Sequence, residues 1–335
     1  MTWTKQRLNN LFFIIGVVAV VVMLFTFDVS FIELWQHLCH AGYWLIPIIG
    51  VWFLVYGLNA LAWQATIEGN LGGKCPVSFW RIYRLTITGY ALNYATPVGG
   101  LGGEPYRIME LTPYVGKAKA ASSVIRYAMM HIFSHFWFWL FSVGVFFVRY
   151  GCEMSWPFAL MMGGITLFCL AGIYFFLVGY RDGLAMRVLH FFGHWPWIGR
   201  RIRELGERHA EGIRKVDNQI AALHSQRRST FYWSLFLEWL ARMVGCFEIQ
   251  FILFIFTPDV NYWDCVLIQA FISLFANLFF FIPMQMGARE GGLAIVTGGM
   301  QMSGAYGVLT GLITRLRELF WIAIGLLLIR IGNKK

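Results

Sequence analysis

Glu104 and Arg107 follow a glycine-rich stretch, Thr96-Pro97-Val98-Gly99-Gly100-Leu101-Gly102-Gly103, which interrupts an apolar segment. They lie three positions apart, so they share one face if the chain is helical after Gly103. A guanidinium meets phosphate or carboxylate through two parallel hydrogen bonds, and a carboxylate beside it orients it or receives a cation. Glycines at 99, 100, 102 and 103 let backbone approach a ligand closely. The N–H groups of Gly100 and Gly103, at a helix start, suit an anion. Close helix packing also uses glycine, so this pattern alone does not decide. A dinucleotide-binding reading fails because no βαβ unit flanks the glycines.

A second stretch, Ile282-Pro283-Met284-Gln285-Met286-Gly287-Ala288-Arg289-Glu290-Gly291-Gly292, repeats the arrangement. In both, a Pro precedes a Glu by seven positions, glycine lies between, and an Asn stands upstream (Asn93, Asn277). Arg315, Arg317 and Glu318 fall near the middle of the last apolar segment, and Glu238 and Arg242 share a face of an earlier one. A charge at mid-membrane costs at least about 2.5–3.5 kcal/mol, so it turns toward a cavity or a partner. Glu238 with Arg242 reads as an internal ion pair. Glu104, Arg107, Arg289, Glu290 and Arg315 read as the lining of a polar cavity, because they converge on two related breaks.

His131 and His135 are four apart, the spacing of a metal pair, but no HExxH pattern or third ligand accompanies them. Interior packing or hydrogen bonding is the expected role, and no metal or cofactor is expected. The six cysteines are scattered with no CxxC, which argues against a disulfide framework or zinc site. No Ser-His-Asp or Cys-His set emerges from spacing, so no enzyme chemistry is expected.

The elements that must hold these residues are membrane helices. Of 335 residues, 58% are hydrophobic and 13% charged, against about 25% charged in soluble domains. Apolar segments run over about 11–27, 43–67, 122–148, 157–180, 230–256, 264–283 and 305–331, most near the ~20 residues that cross a bilayer. Trp and Tyr crowd their ends, as amphipathic rings do at headgroup level. The segment 11–27 follows Lys5 and Arg7 without a small-residue cleavage site, so it is expected to remain as a first helix. The net charge of +10 sits mainly beside apolar runs. It therefore reports topology rather than nucleic-acid binding.

Basic residues at the N-terminus, in the loop 181–229 and at the C-terminus place all three in the cytoplasm. That loop carries ten Arg or Lys and five Asp or Glu, and residues 200–224 within it have the spacing of an amphipathic helix. Parity of the spans requires 85–111 to dip in from the cytoplasm and 264–300 from outside. The expected fold is thus an all-α polytopic membrane protein, about seven transmembrane helices plus two re-entrant segments, in an inverted-topology repeat. It forms a single membrane domain, 1–335, with a first repeat over 43–148 and an inverted second over 230–331.

The run from Thr96 to Arg107 resembles the first signature of the lysylphosphatidylglycerol synthase transmembrane-region family. Ile282-Pro283 to Gly291-Gly292, followed by Arg315, resembles its second, although Met284-Gln285-Met286 stands where glycine is common. The resemblance implies a flippase-like domain of bacterial or archaeal inner membranes that moves an anionic or aminoacylated phospholipid, or another lipid-linked substrate, between leaflets. The chain runs only a few residues past its last apolar segment, so the soluble synthase domain is expected to be absent. The expected substrate contacts are Asn93, Gly100, Gly103, Glu104, Arg107, Arg289, Glu290 and Arg315. A small-solute or ion transporter using the same repeat is the alternative. A membrane-embedded lipid-modifying enzyme or a structural partner subunit ranks lower.

Overall fold

Within hydrocarbon, backbone N–H and C=O groups find no water, so long apolar runs satisfy them internally as helices. The computed structural model describes residues 14, 41–95, 102–151, 156–178, 227–278, 293 and 304–332, and most of these are helical, with no strand among them. After a 3-10 turn at Gly42–Trp44 come α1 (Leu45–Leu71), α2 (Phe79–Ala95), α3 (Gly103–Val115), α4 (Lys117–Tyr150), α5 (Trp156–Val178), α6 (Arg228–Leu253), α7 (Tyr262–Leu278) and α8 (Gly304–Gly332). Six of the seven expected apolar segments coincide with α1, α4, α5, α6, α7 and α8. All of the segment 11–27 but Ile14, nearly all of the loop 181–229, and the second break with Arg289 and Glu290 lie outside the described residues. So does Gly100 of the first break.

Among the described residues, three helical stretches are long and apolar enough to cross a bilayer: Gly42–Leu71, Lys117–Tyr150 and Ala159–Leu177, with Tyr262–Leu278 a shorter apolar helix. At 1.5 Å per residue the 34-residue α4 spans roughly 50 Å, more than the ~30 Å of hydrocarbon. Helices α6 and α8 have the length, 26 and 29 residues, but carry charges mid-run. Four of those charges are buried: Glu238, Glu248, Arg315 and Arg317 are all under a tenth exposed. Outward faces are apolar instead. On α5, Leu160, Leu167 and Leu170 are exposed, the reverse of a soluble helix and suited to lipid.

The chain forms two compact units. One comprises Met1–Leu61, Pro76–Ala120 and Leu240–Lys335; the other comprises Ala62–Cys75 and Ala121–Trp239. In the first, α8 packs along α2 and α2 along α3. Gly325 of α8 meets Ala91 of α2 so closely that a Cβ there would overlap the Ala91 methyl. Tyr56, Ile87 and Trp321 form one core there, bordered by Trp52, Tyr83 and Tyr90. Ile249, Leu253, Cys265, Ile268 and Ile272 form another. The second unit is centred on Met130, Phe133, Ile173, Phe176 and Phe231. In it the Ser234 hydroxyl donates to the Ala62 carbonyl at 3.1 Å and lies 3.3 Å from the Thr66 hydroxyl.

Candidate functional site

In the first unit, the last turn of α2 and the first turn of α3 are tied together by Asn93. Its Oδ1 accepts the Gly103 N–H at 2.6 Å, and its Nδ2 donates to Glu104 Oε1 at 3.3 Å. A helix start leaves four N–H groups without intrahelical partners. Here an asparagine from the preceding helix takes one of them, because the N-cap position itself is Gly102, which has no capping side chain. The Gly103 N–H expected to face an anion is therefore occupied. The glycine is required for another reason: a Cβ at Gly103 would fall on the carbonyl of Gly89, and one at Gly89 on the Arg107 guanidinium.

Arg107 is 2% exposed. Its Nη1 donates to Glu104 Oε1 at 3.4 Å and its Nη2 to the Thr86 carbonyl at 3.3 Å, while its plane lies over the Tyr90 ring at 4.9 Å. Glu104 Oε2 is buried and has no hydrogen-bond partner. The structure thus brings together Asn93, Gly103, Glu104 and Arg107, four of the expected site residues.

A second charged cluster of the same unit joins α1, α6 and α8. Arg317 Nε donates to Glu248 Oε1 at 2.7 Å and its Nη2 to Oε2 at 3.1 Å, a fork-on-carboxylate pair. Glu318 approaches the same guanidinium at 3.7 Å. Trp52 donates its indole N–H to Glu248 at 2.8 Å, and Arg317 stacks over that ring at 3.8 Å. Aromatic rings connect the clusters: Trp52 to Tyr56 at 5.3 Å, then Tyr56 to Tyr90 at 5.5 Å. Asn59 donates to the Tyr90 hydroxyl at 3.4 Å. Three polar atoms around Tyr56 are buried without partners: Asn59 Oδ1, Trp321 Nε1 and Arg317 Nη1.

Arg315 is also buried, at 8% exposure. Two helical positions are roughly 200° apart, so it leaves α8 on a different side from Arg317, and the carboxylate partners described here belong to Arg317. Sequence reasoning missed Glu248 and the aromatic ladder. Glu248 is the third charge in an apolar segment, after Glu238 and Arg242, which was a usable signal. Trp52, Tyr56 and Asn59 follow a four-then-three spacing along α1, but so does ordinary core.

In the second unit, His131 Nδ1 lies 2.7 Å from Glu238 Oε2. The imidazole of α4 is thus a partner of Glu238 beyond the expected Arg242. His135 directs its Nδ1 to the His131 carbonyl at 3.1 Å. Both histidines are hydrogen-bonded within the helices.

Long helices with apolar outward faces and paired buried charges define a multi-pass α-helical membrane protein. The chain belongs to the family described as the lysylphosphatidylglycerol synthase TM region, whose pattern it matches over residues 13–325. Compared with curated proteins and with solved structures, the chain matches none.

Proposed function

We propose that this protein translocates a lipid or lipid-linked substrate across the bacterial inner membrane, with the headgroup passing through a polar midplane cavity and the acyl chains in hydrocarbon. The observation that carries this is the Arg107–Glu104–Asn93 cluster at the first break: a buried charge held by a short helix and glycine contacts, in a chain whose family description names an aminoacylated phospholipid. Broken helices at membrane depth are tolerated where they line a cavity or are buried in protein. In this reading Arg107, Arg289 and Arg315 engage the lipid phosphate, and Glu104 and Glu290 orient them or meet a cationic headgroup. Gly100 offers backbone N–H, and Gly103 contributes by permitting close approach.

The two breaks belong to re-entrant segments of an inverted repeat, 43–148 against 230–331, which gives the cavity alternate access to each leaflet. The N-terminus, the loop 181–229 and the C-terminus face the cytoplasm. The test is transbilayer movement of fluorescent phosphatidylglycerol in proteoliposomes, read by quenching of the outer leaflet. Lipids retained through purification, identified by mass spectrometry, name the substrate. Wild-type vesicles that move lipid no faster than protein-free ones overturn the proposal.

A further inference from the structure

We propose that His131 and Glu238 form a proton-binding site that couples lipid movement to a proton gradient; this rests on the translocation reading above. The ion pairs of the described helices differ in kind. Arg107–Glu104 and Arg317–Glu248 use guanidinium, which stays charged in proteins. His131–Glu238 uses imidazole, the side chain that gains and loses a proton near neutral pH. Glu238 is 1% exposed and His131 30% exposed, so the carboxylate is sealed while the ring keeps an open edge. Both residues sit near the middle of their helices, α4 and α6, where ionisable groups in membrane proteins serve as ion and proton sites.

The geometry allows proton exchange without breaking the pair. With hydrogen on Nδ1 donated to Glu238 Oε2, the ring takes up one proton at Nε2 and becomes imidazolium. The site thereby gains one unit of positive charge, and the same nitrogen returns the proton to the other aqueous phase. A change of one charge in a sealed site changes its demand for water or a counter-charge. Protonation therefore biases the helices between a closed and a hydrated arrangement, which is the bistability a carrier needs.

The surrounding titratable and charged groups fit this role. On α4, His135 stands T-shaped to His131 at 5.2 Å and Tyr127 lies 6.3 Å away, with Arg126 beside it in sequence. From α1, the Trp63 ring lies tilted to Tyr127 at 5.8 Å, and Glu68 accepts the Cys75 N–H at 3.2 Å. Helix α5 offers Cys169 and Tyr174 among apolar side chains, and α6 carries Arg242 one turn after Glu238. His135 is 8% exposed and extends the path along α4.

The experiment uses the full chain in vesicles of phosphatidylcholine and phosphatidylglycerol containing a fluorescent phosphatidylglycerol, with a pH gradient imposed in either direction. Wild-type protein is expected to accumulate the probe in a leaflet set by the gradient, with matching proton flux from an internal pH dye. His131→Gln and Glu238→Gln are expected to equilibrate the probe while losing accumulation and flux. Should Glu238→Gln fail to fold, His131→Gln, at a part-exposed ring, and His131→Lys, which keeps a cation, carry the test. Wild-type movement indifferent to the gradient, or accumulation retained in folded His131→Gln, overturns this inference and leaves translocation standing. No lipid movement by wild type under any gradient overturns both.

Discussion

Arg107 is the residue on which the site turns, because removing it has two separable consequences. Arg107→Ala takes the counter-charge from Glu104, whose Oε2 already lacks a partner and whose Oε1 keeps only the Asn93 amide, and breaking a buried ion pair costs about 3–5 kcal/mol. Arg107→Ala is therefore expected to lower the melting temperature and to abolish lipid movement, whereas the double variant Arg107→Ala, Glu104→Ala recovers stability but not movement. Arg107→Lys keeps the charge yet loses the fork that reaches both Glu104 and the Thr86 carbonyl, so partial movement is expected. Melting curves and proteoliposome assays on the same preparations separate these outcomes; full movement in a stable double variant would remove Arg107 from the headgroup site. Glu248 gives a contrasting case. Glu248→Gln weakens a pair held at 2.7 Å between buried partners and should cost stability on the same scale, while Glu248→Leu with Arg317→Met should be far milder. Glu104 and Arg107 were legible because they flank a glycine run. Glu248 was visible as a charge within an apolar segment, but its partner 69 positions away was not.

At the scale of elements, the junction of α2 with α3 depends on small residues and one amide. Asn93 serves as a cap supplied from outside the helix it caps, through the 2.6 Å bond from Gly103 N–H. Asn93→Ala should cost about 1 kcal/mol, the usual worth of an N-cap, and should raise hydrogen exchange at the start of α3. Gly89→Ala and Gly103→Ala should be more damaging, because each new methyl meets backbone or the Arg107 guanidinium rather than open space. A mass-spectrometric exchange profile of 79–115 checks both, and unchanged protection in folded Gly103→Ala would contradict the packing described. The long helices were readable as apolar runs of bilayer length. Helix α3 was readable only as the helical continuation after Gly103, since nothing local announces that an asparagine ten residues upstream caps it.

At the scale of the whole molecule, units assembled from separated stretches of chain explain why local pattern reaches only part of the architecture. Residues 76–120 and 240–335 belong to one unit while 121–239 belong mainly to the other, and only long-range packing records that grouping. Orientation in the bilayer is different, because it is written in the distribution of Lys and Arg rather than in contacts. The native cysteines make it testable. Cys169, Cys246 and Cys265 are buried and free, so they react poorly with a water-borne maleimide. Cys152 lies in a short connection poor in basic residues and is expected outside; a Ser225→Cys variant places a thiol in the basic loop expected inside. With the remaining cysteines changed to serine, a membrane-impermeant maleimide added to intact cells should label Cys152 at once. It should reach position 225 only after the membrane is permeabilised. Labelling of position 225 in intact cells would invert the topology. It would also reverse the sides from which the two proposed re-entrant segments enter the membrane, because their entry sides follow from the parity of the spans.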